Sequence, residues 1–109
     1  MFRVTSDDKI IITRGDSAKI RVSITDNDGN IYTPTVDDKV VLTVKKTTGD
    51  KEPLITKTLV DGFIKLKPED TEKLEYGSYV YDCQITTGSG DVYTFITPHP
   101  FVVAEEVTF

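Results

Sequence analysis

Apolar and polar residues alternate along most of this chain. In "AKIRVSI", the apolar residues Ala18, Ile20, Val22 and Ile24 fall on one side, with charged and hydroxyl residues between them. Side chains of a strand point to opposite faces in turn, so this stretch predicts a strand with one face in a core and one in water.

Seven further stretches are predicted to be strands, because they alternate in the same way or are short and apolar. They are "IIIT" (10–13), "KVVLTVK" (39–45), "LITKTLV" (54–60), "FIKLK" (63–67), "YGSYVYDCQIT" (76–86), "DVYTFIT" (91–97) and "PFVVAEEV" (100–107). The clearest is 76–86, in which Tyr79, Tyr81, Cys83 and Ile85 share one face.

Glycine-containing polar segments separate these strands, as in "DNDGN", "TTGD", "VDGF" and "TGSGD", and are typical of turns. One segment differs: "KPEDTEKLEYG" places Pro68 at a first helical position and Gly77 beyond the end, which predicts a short helix near 68–74. Strands that recur about every 8–12 residues indicate an all-β sandwich or barrel. A short helix before a tyrosine-rich strand is common in immunoglobulin-like sandwiches.

Composition and charge exclude several classes of partner. The chain has 109 residues, 38% of them hydrophobic, and a formal net charge of -5. Its basic residues are scattered, so neither nucleic acid nor an anionic membrane surface is expected to bind it. No stretch approaches the roughly 20 apolar residues of a membrane helix, and "MFRVTSDDK" lacks the apolar run of a signal peptide.

Arg14-Gly15-Asp16 is the tripeptide that animal cell-adhesion receptors recognise. It falls between an apolar strand and an alternating one, where a polar insert with glycine is typical of a turn. We interpret it as a turn, with adhesion as the alternative hypothesis.

The segment "DNDGN" (26–30) suggests a calcium loop. With Gly29 at position six of such a loop, positions one and twelve would be Ile24 and Thr35, and neither supplies a carboxylate. We interpret the segment as a hairpin turn, with a weak cation site as the alternative.

No residue set predicts catalysis, a cofactor or a metal site. His99 is the only histidine and lies between two prolines, Pro98 and Pro100, which predict a bend between two strands or an edge strand. Cys83 lies mid-strand on an apolar face, which indicates a buried thiol rather than a nucleophile. Neighbouring carboxylates such as Asp37 and Asp38 are expected to be solvated.

The aromatic residues offer two interpretations. Tyr76, Tyr79, Tyr81, Tyr93 and Phe95 could form a platform for sugars, but alternation sends Tyr79 and Tyr81 to the core face. Tyr93 and Phe95 remain as a possible contact surface, because an apolar patch on a small domain often marks a protein interface.

The segment "YGSYVYDCQITTGSGDVYTFITPHPFVVAEEVT" resembles small structural proteins encoded among the tail and baseplate genes of phages and prophages of Gram-positive bacteria. The segments "TRGDSAKIRVSITDNDGNIYTP", "KEPLITK" and "LKPEDTEKLEYG" are similar to the same family. Where this chain has Cys83, the family is expected to have an aliphatic residue.

The length of the chain suits a single domain over 1–109, and the pattern predicts seven or eight strands with the helix near 68–74. The resemblance implies that these form an immunoglobulin-like antiparallel β-sandwich. It implies a non-enzymatic structural protein without cofactors, located in the virion and, during assembly, in the bacterial cytoplasm. The expected partners are other tail or baseplate proteins and further copies of the chain. The alternative is a module that binds carbohydrate or a host surface.

Overall fold

Strands are the main elements of the fold, and the described part of the chain has one short helix. A computed structural model describes residues 2–4, 9–22, 24–25, 29–60 and 62–105. In this part of the chain the elements are β1 Phe2–Val4, β2 Ile10–Thr13, β3 Ala18–Arg21, β4 Ile24–Thr25, β5 Ile31–Tyr32, β6 Lys39–Lys45, β7 Ile55–Thr58, β8 Phe63–Leu66, α1 Pro68–Thr71, β9 Gly77–Thr86 and β10 Val92–Ala104. The prediction of an all-β fold is confirmed, and no helix in the described residues is long and apolar enough to cross a membrane.

Six strands form one sheet, in the order β1-β2-β10-β9-β6-β7, and the pairs β3-β8 and β4-β5 form two small sheets. The six-stranded sheet is mixed rather than wholly antiparallel, because β2 runs parallel to β10 with Ile10 opposite Phe101. The Arg14 N–H donates to the Ala104 carbonyl at 3.0 Å and extends this pairing past the end of β2. The prediction of an antiparallel arrangement is therefore wrong at this pair, since alternation does not encode strand direction.

The alternating residues of the central strands form the core. Leu42 and Val44 of β6 are fully buried, and Cys83 of β9 is buried beside them, which confirms the prediction for that thiol. Ile20 of β3 and Ile64 of β8 belong to the same core cluster, so the β3-β8 pair packs on the six-stranded sheet. Burial of one such aliphatic side chain stabilises the fold by about 1.5–3 kcal/mol.

The last strand differs from its prediction in length. Two strands separated by a bend were expected, whereas β10 continues through both prolines. Its register against β9 shifts between Thr94 and Ile96 and again between Ile96 and His99. These irregularities absorb the extra residues, so the pairing with β9 resumes and reaches Val103.

The prolines of β10 lie where the strand has only one neighbour. Among the described residues, β2 pairs with β10 only from Phe101 onward, so the other side of Val92–Pro100 is a sheet edge. The backbone groups of Ala104 face the side of β10 on which β2 lies, and those of every second residue before it face the same side. Pro100 is one of these residues, so the position without an N–H donor lies on the free edge. The first part of β10 therefore agrees with the alternative of an edge strand, whereas its last part lies between β2 and β9.

The smaller elements were predicted least well. The stretch "AKIRVSI" forms β3 and β4 rather than one strand, and β1 and β5 have too few residues to show a pattern. With them the described chain has ten strand segments instead of seven or eight. The helix begins at Pro68 as predicted but ends at Thr71, where the Glu72 N–H bonds the Pro68 carbonyl at 3.1 Å.

Candidate functional site

Three loops meet at one end of the strands. Lys39 at the start of β6 and Val92 at the start of β10 both pair with Thr86 at the end of β9. We call the described residues of 29–38, 59–62 and 87–93 the loop end. Its exposed apolar side chains are Ile31 (81% exposed), Val36 (100%), Val60 (55%), Val92 (56%) and Tyr93 (57%).

A groove runs through the loop end. It has a volume of about 440 Å³ and is lined by Pro34, Thr35, Val36, Asp38, Val40, Leu59 and Gly62. Polar and apolar atoms contribute about equally to its lining, and the fully exposed Val36 is one of its residues. Exposed apolar residues gathered in this way are typical of a surface that contacts another protein.

Asp38 holds the loops of this end together. Its carboxylate accepts hydrogen bonds from the Tyr32 hydroxyl, from the Thr35 N–H at 3.0 Å and from the Gly88 N–H. The bonds from Tyr32, Thr35 and Gly88 hold the pKa of Asp38 below its ordinary value, and the bond to Asp38 raises the pKa of Tyr32. Asp38 lies at the surface, as expected from the sequence, and its hydrogen bonds also connect the loop before β6 to the turn after β9.

Tyr93 and Phe95, the possible contact surface, differ in their environments. Tyr93 is exposed, whereas Phe95 is half-buried and packs against the core. The irregular register after Thr94 turns both Phe95 and Ile96 toward the core, so the expected alternation fails there. Tyr93 and its neighbour Val92 are the exposed residues of this strand end.

The five aromatic residues do not form a common platform. Tyr79 and Tyr81 are buried in the core, as alternation predicted. Tyr76 lies near the opposite end of the sheet, where the Arg14 guanidinium carbon is 4.4 Å from the centre of its ring. Tyr93 is therefore the exposed ring at the loop end.

The Arg14-Gly15-Asp16 segment is a tight turn between β2 and β3. The Asp16 N–H donates to the Thr13 carbonyl at 3.0 Å, and Gly15 has a φ of 85°, which glycine adopts without strain. The Gly15 N–H also donates to the buried Thr71 hydroxyl of α1 at 2.9 Å. The turn interpretation is confirmed, and the half-buried tripeptide is fixed against the helix.

Sequence reasoning missed a basic face on the β3-β8 pair. Lys19 lies directly opposite Lys65 in the strand register, and Arg21 lies opposite Phe63. We call Lys19, Arg21, Lys65 and Lys67, all exposed, the basic face. The face combines two pairs of residues that are far apart in the sequence. Within each pair, Lys19 with Arg21 and Lys65 with Lys67, the two residues are two positions apart and so share one side of a strand, which is the only sign of the face in the sequence.

The remaining candidates are dispersed. The half-buried His99 bonds the Thr97 carbonyl through Nδ1, and Cys83 lies in the core. The described residues contain no group of three or more metal-ligating side chains. Asp26, Asn27 and Asp28 of the candidate calcium loop lie outside the described residues, so that hypothesis stays a prediction.

Comparison with protein-family models, with curated proteins and with solved structures finds no match to this chain.

Proposed function

We propose that this chain is an immunoglobulin-like sandwich that serves as a structural protein of a phage or prophage particle, in its tail or baseplate region. It acts through protein–protein contacts, without chemical catalysis. The observation that carries this proposal is the loop end, whose loops each expose apolar side chains: Ile31, Val36, Val60, Val92 and Tyr93. Apolar surface of this kind favours assembly with another protein.

Two features of the fold support the immunoglobulin-like assignment. The Tyr79 hydroxyl donates to the Glu75 carbonyl at 2.7 Å, just after the helix and near the start of β9. Immunoglobulin-like sandwiches often have such a tyrosine corner at this place. The β3-β8 pair also covers the core face of the six-stranded sheet, as the second layer of a sandwich would.

The free edge of β10 favours contacts through surfaces rather than through strand pairing. That edge contains Pro98 and Pro100 and two register shifts. Prolines and bulges interrupt the row of donors and acceptors that an added strand needs, and natural sheets use both to prevent edge pairing. Partners are therefore expected to bind the loop end rather than to extend the sheet along β10.

Purified particles provide the test. The host strain that carries the gene is induced, particles are purified on a density gradient, and mass spectrometry measures the chain in intact particles and in isolated tails. The proposal predicts a fixed number of copies per particle that follows the tail fraction. Particles that lack the chain, and that assemble normally when its gene is deleted, would contradict the proposal.

A second candidate is a module that binds carbohydrate or a host surface. The exposed Tyr93 ring favours it, because aromatic rings stack on sugars. Binding to a glycan array that Tyr93→Ala abolishes and Tyr76→Ala preserves would support this function. No binding to any glycan would exclude it for the set tested and leave the structural role as the proposal.

A further inference from the structure

The basic face carries an arrangement that the fold does not need. Lys19 and Lys65 are direct cross-strand partners on the exposed side of the β3-β8 pair, and like charges in such positions destabilise a sheet. Arg21 and Lys67 extend the same row at both ends. In the described part of the chain the observed salt bridge joins Lys57 to Asp70 at 3.0 Å and involves none of these four cations.

The basic face also has an apolar centre. Phe63 is half-buried between its cations, with Lys19 Nζ 5.8 Å and the Arg21 guanidinium carbon 5.6 Å from the centre of its ring. At the Lys67 end of the basic face lies a groove of about 280 Å³, lined by Ser17, Ala18, Lys19, Lys65, Leu66 and Lys67. A partner that fits this face combines carboxylates with a small apolar group.

The loop end has this composition. Asp37 and Asp91 are exposed there, and the fully exposed Val36 lies next to Asp37 in the chain. The segments 29–38, 59–62 and 87–93 contain no lysine or arginine, and the next cation along the chain is Lys39. The loop end is therefore complementary to the basic face in both charge and apolar character.

We propose that the basic face of one copy binds the loop end of a second copy. This inference rests on the proposed assembly function and names the surfaces that it would use. The two surfaces share no residue, so a contact that is not repeated across a two-fold axis is heterologous and adds copies in a ring or a filament. Carboxylates of Asp37 and Asp91 face Lys19 and Lys65 across the contact, with Val36 against Phe63.

The net charge disfavours a nucleic acid or another long polyanion as the partner of the basic face. The whole chain has a formal charge of -5, so the surface outside the basic face repels a polyanion that extends beyond it. A second copy presents only its loop end to the basic face, and the acidic remainder of both molecules stays in solvent.

Exchange of charges between the two surfaces tests the contact. A face variant, Lys19→Glu with Lys65→Glu, and an end variant, Asp37→Lys with Asp91→Lys, are compared with the wild type by sedimentation velocity in low salt. Each variant alone is expected to self-associate at least about tenfold more weakly than the wild type. An equimolar mixture is expected to regain association, because the new carboxylates of one variant meet the new lysines of the other.

A control variant, Lys51→Glu with Lys73→Glu, changes the net charge equally at exposed positions away from the basic face and is expected to keep wild-type association. Recovery in the mixture also shows that both variants are folded.

A wild type that remains monomeric, a mixture that does not recover, or an equal loss in the control would each overturn the proposal. So would a monomeric wild type that binds heparin through Lys19 and Lys65, which would assign the face to a polyanion. Detection in particles remains a separate measurement, so a failure here is distinguishable from a failure of the proposed function.

Discussion

Tyr79 connects the loop between the helix and β9 to the core. Its ring is buried, and its hydroxyl satisfies the Glu75 carbonyl between the helix and β9. A phenylalanine at this position keeps the ring and removes only the hydrogen bond.

We therefore expect Tyr79→Phe to lower the free energy of unfolding by about 0.5–1.5 kcal/mol, measured by urea denaturation. Tyr93→Phe is the matched control, since the Tyr93 ring is exposed, and its effect is expected to stay within about 0.5 kcal/mol. Equal losses for the two variants would show that the Tyr79 bond does not stabilise the loop.

We expect Asp38 to make the loop end sensitive to acid. Hydrogen bonds, the first of them from Tyr32, lower the pKa of Asp38 below its ordinary value of 3.8. For a carboxyl with a lowered folded-state pKa, the stabilisation is complete above the ordinary value and is lost as the pH falls through the folded-state pKa.

The melting temperature of Asp38→Asn is expected to lie below that of the wild type at pH 6. The difference should shrink as the pH falls below 3.8, because the wild-type carboxyl then becomes protonated. Asp37→Asn, at the exposed neighbouring position, is expected to show little difference at any pH. A difference for Asp38→Asn that stays constant down to pH values well below 3.8 would contradict this role.

At the scale of the element, the turn after β9 depends on close approach to the loop before β6. A Cβ atom added at Gly88 would lie 2.9 Å from the Cβ of Asp37, so the two loops would have to separate. A Cβ added at Gly49 would lie 4.0 Å from the Thr47 hydroxyl, and neither glycine has a positive φ.

Gly88→Ala is therefore expected to lower the free energy of unfolding by about 1–3 kcal/mol, as overpacking does. Gly49→Ala should be neutral or stabilising by up to about 1 kcal/mol, because alanine restricts the unfolded chain. Both changes are measurable in the same denaturation series. Similar changes in the free energy of unfolding for the two variants would show that Asp37 can move away from residue 88 without destabilising the fold.

Alternation predicted the elements whose faces differ most in polarity. The bounds of β2 and β6 agree with the predicted stretches 10–13 and 39–45, and the four inward residues of β9 are buried. It could not predict that β10 is continuous, because the register shifts near Phe95 and His99 depend on pairing with β9. Alternation also could not predict strand direction, since β2 has the same pattern of apolar residues whether it runs parallel or antiparallel to β10.

At the scale of the whole molecule, both candidate surfaces depend on contacts between distant residues. Tyr93 was predicted from its own strand, but Ile31, Val36 and Val60 join it only because β6, β7, β9 and β10 place their loops at one end. Lys19 and Lys65 are 46 positions apart in the chain and meet through the β3-β8 register. A scan for adjacent basic residues therefore finds no patch, whereas the folded chain has one.

Light scattering tests assembly through charged surfaces most directly. It measures the average mass of the purified chain across protein concentrations, in low and in high salt. The mass is expected to rise above 12.2 kDa with concentration in low salt and to return toward that value in high salt, because salt screens exposed charges. A mass of 12.2 kDa at every concentration and salt level would contradict this expectation.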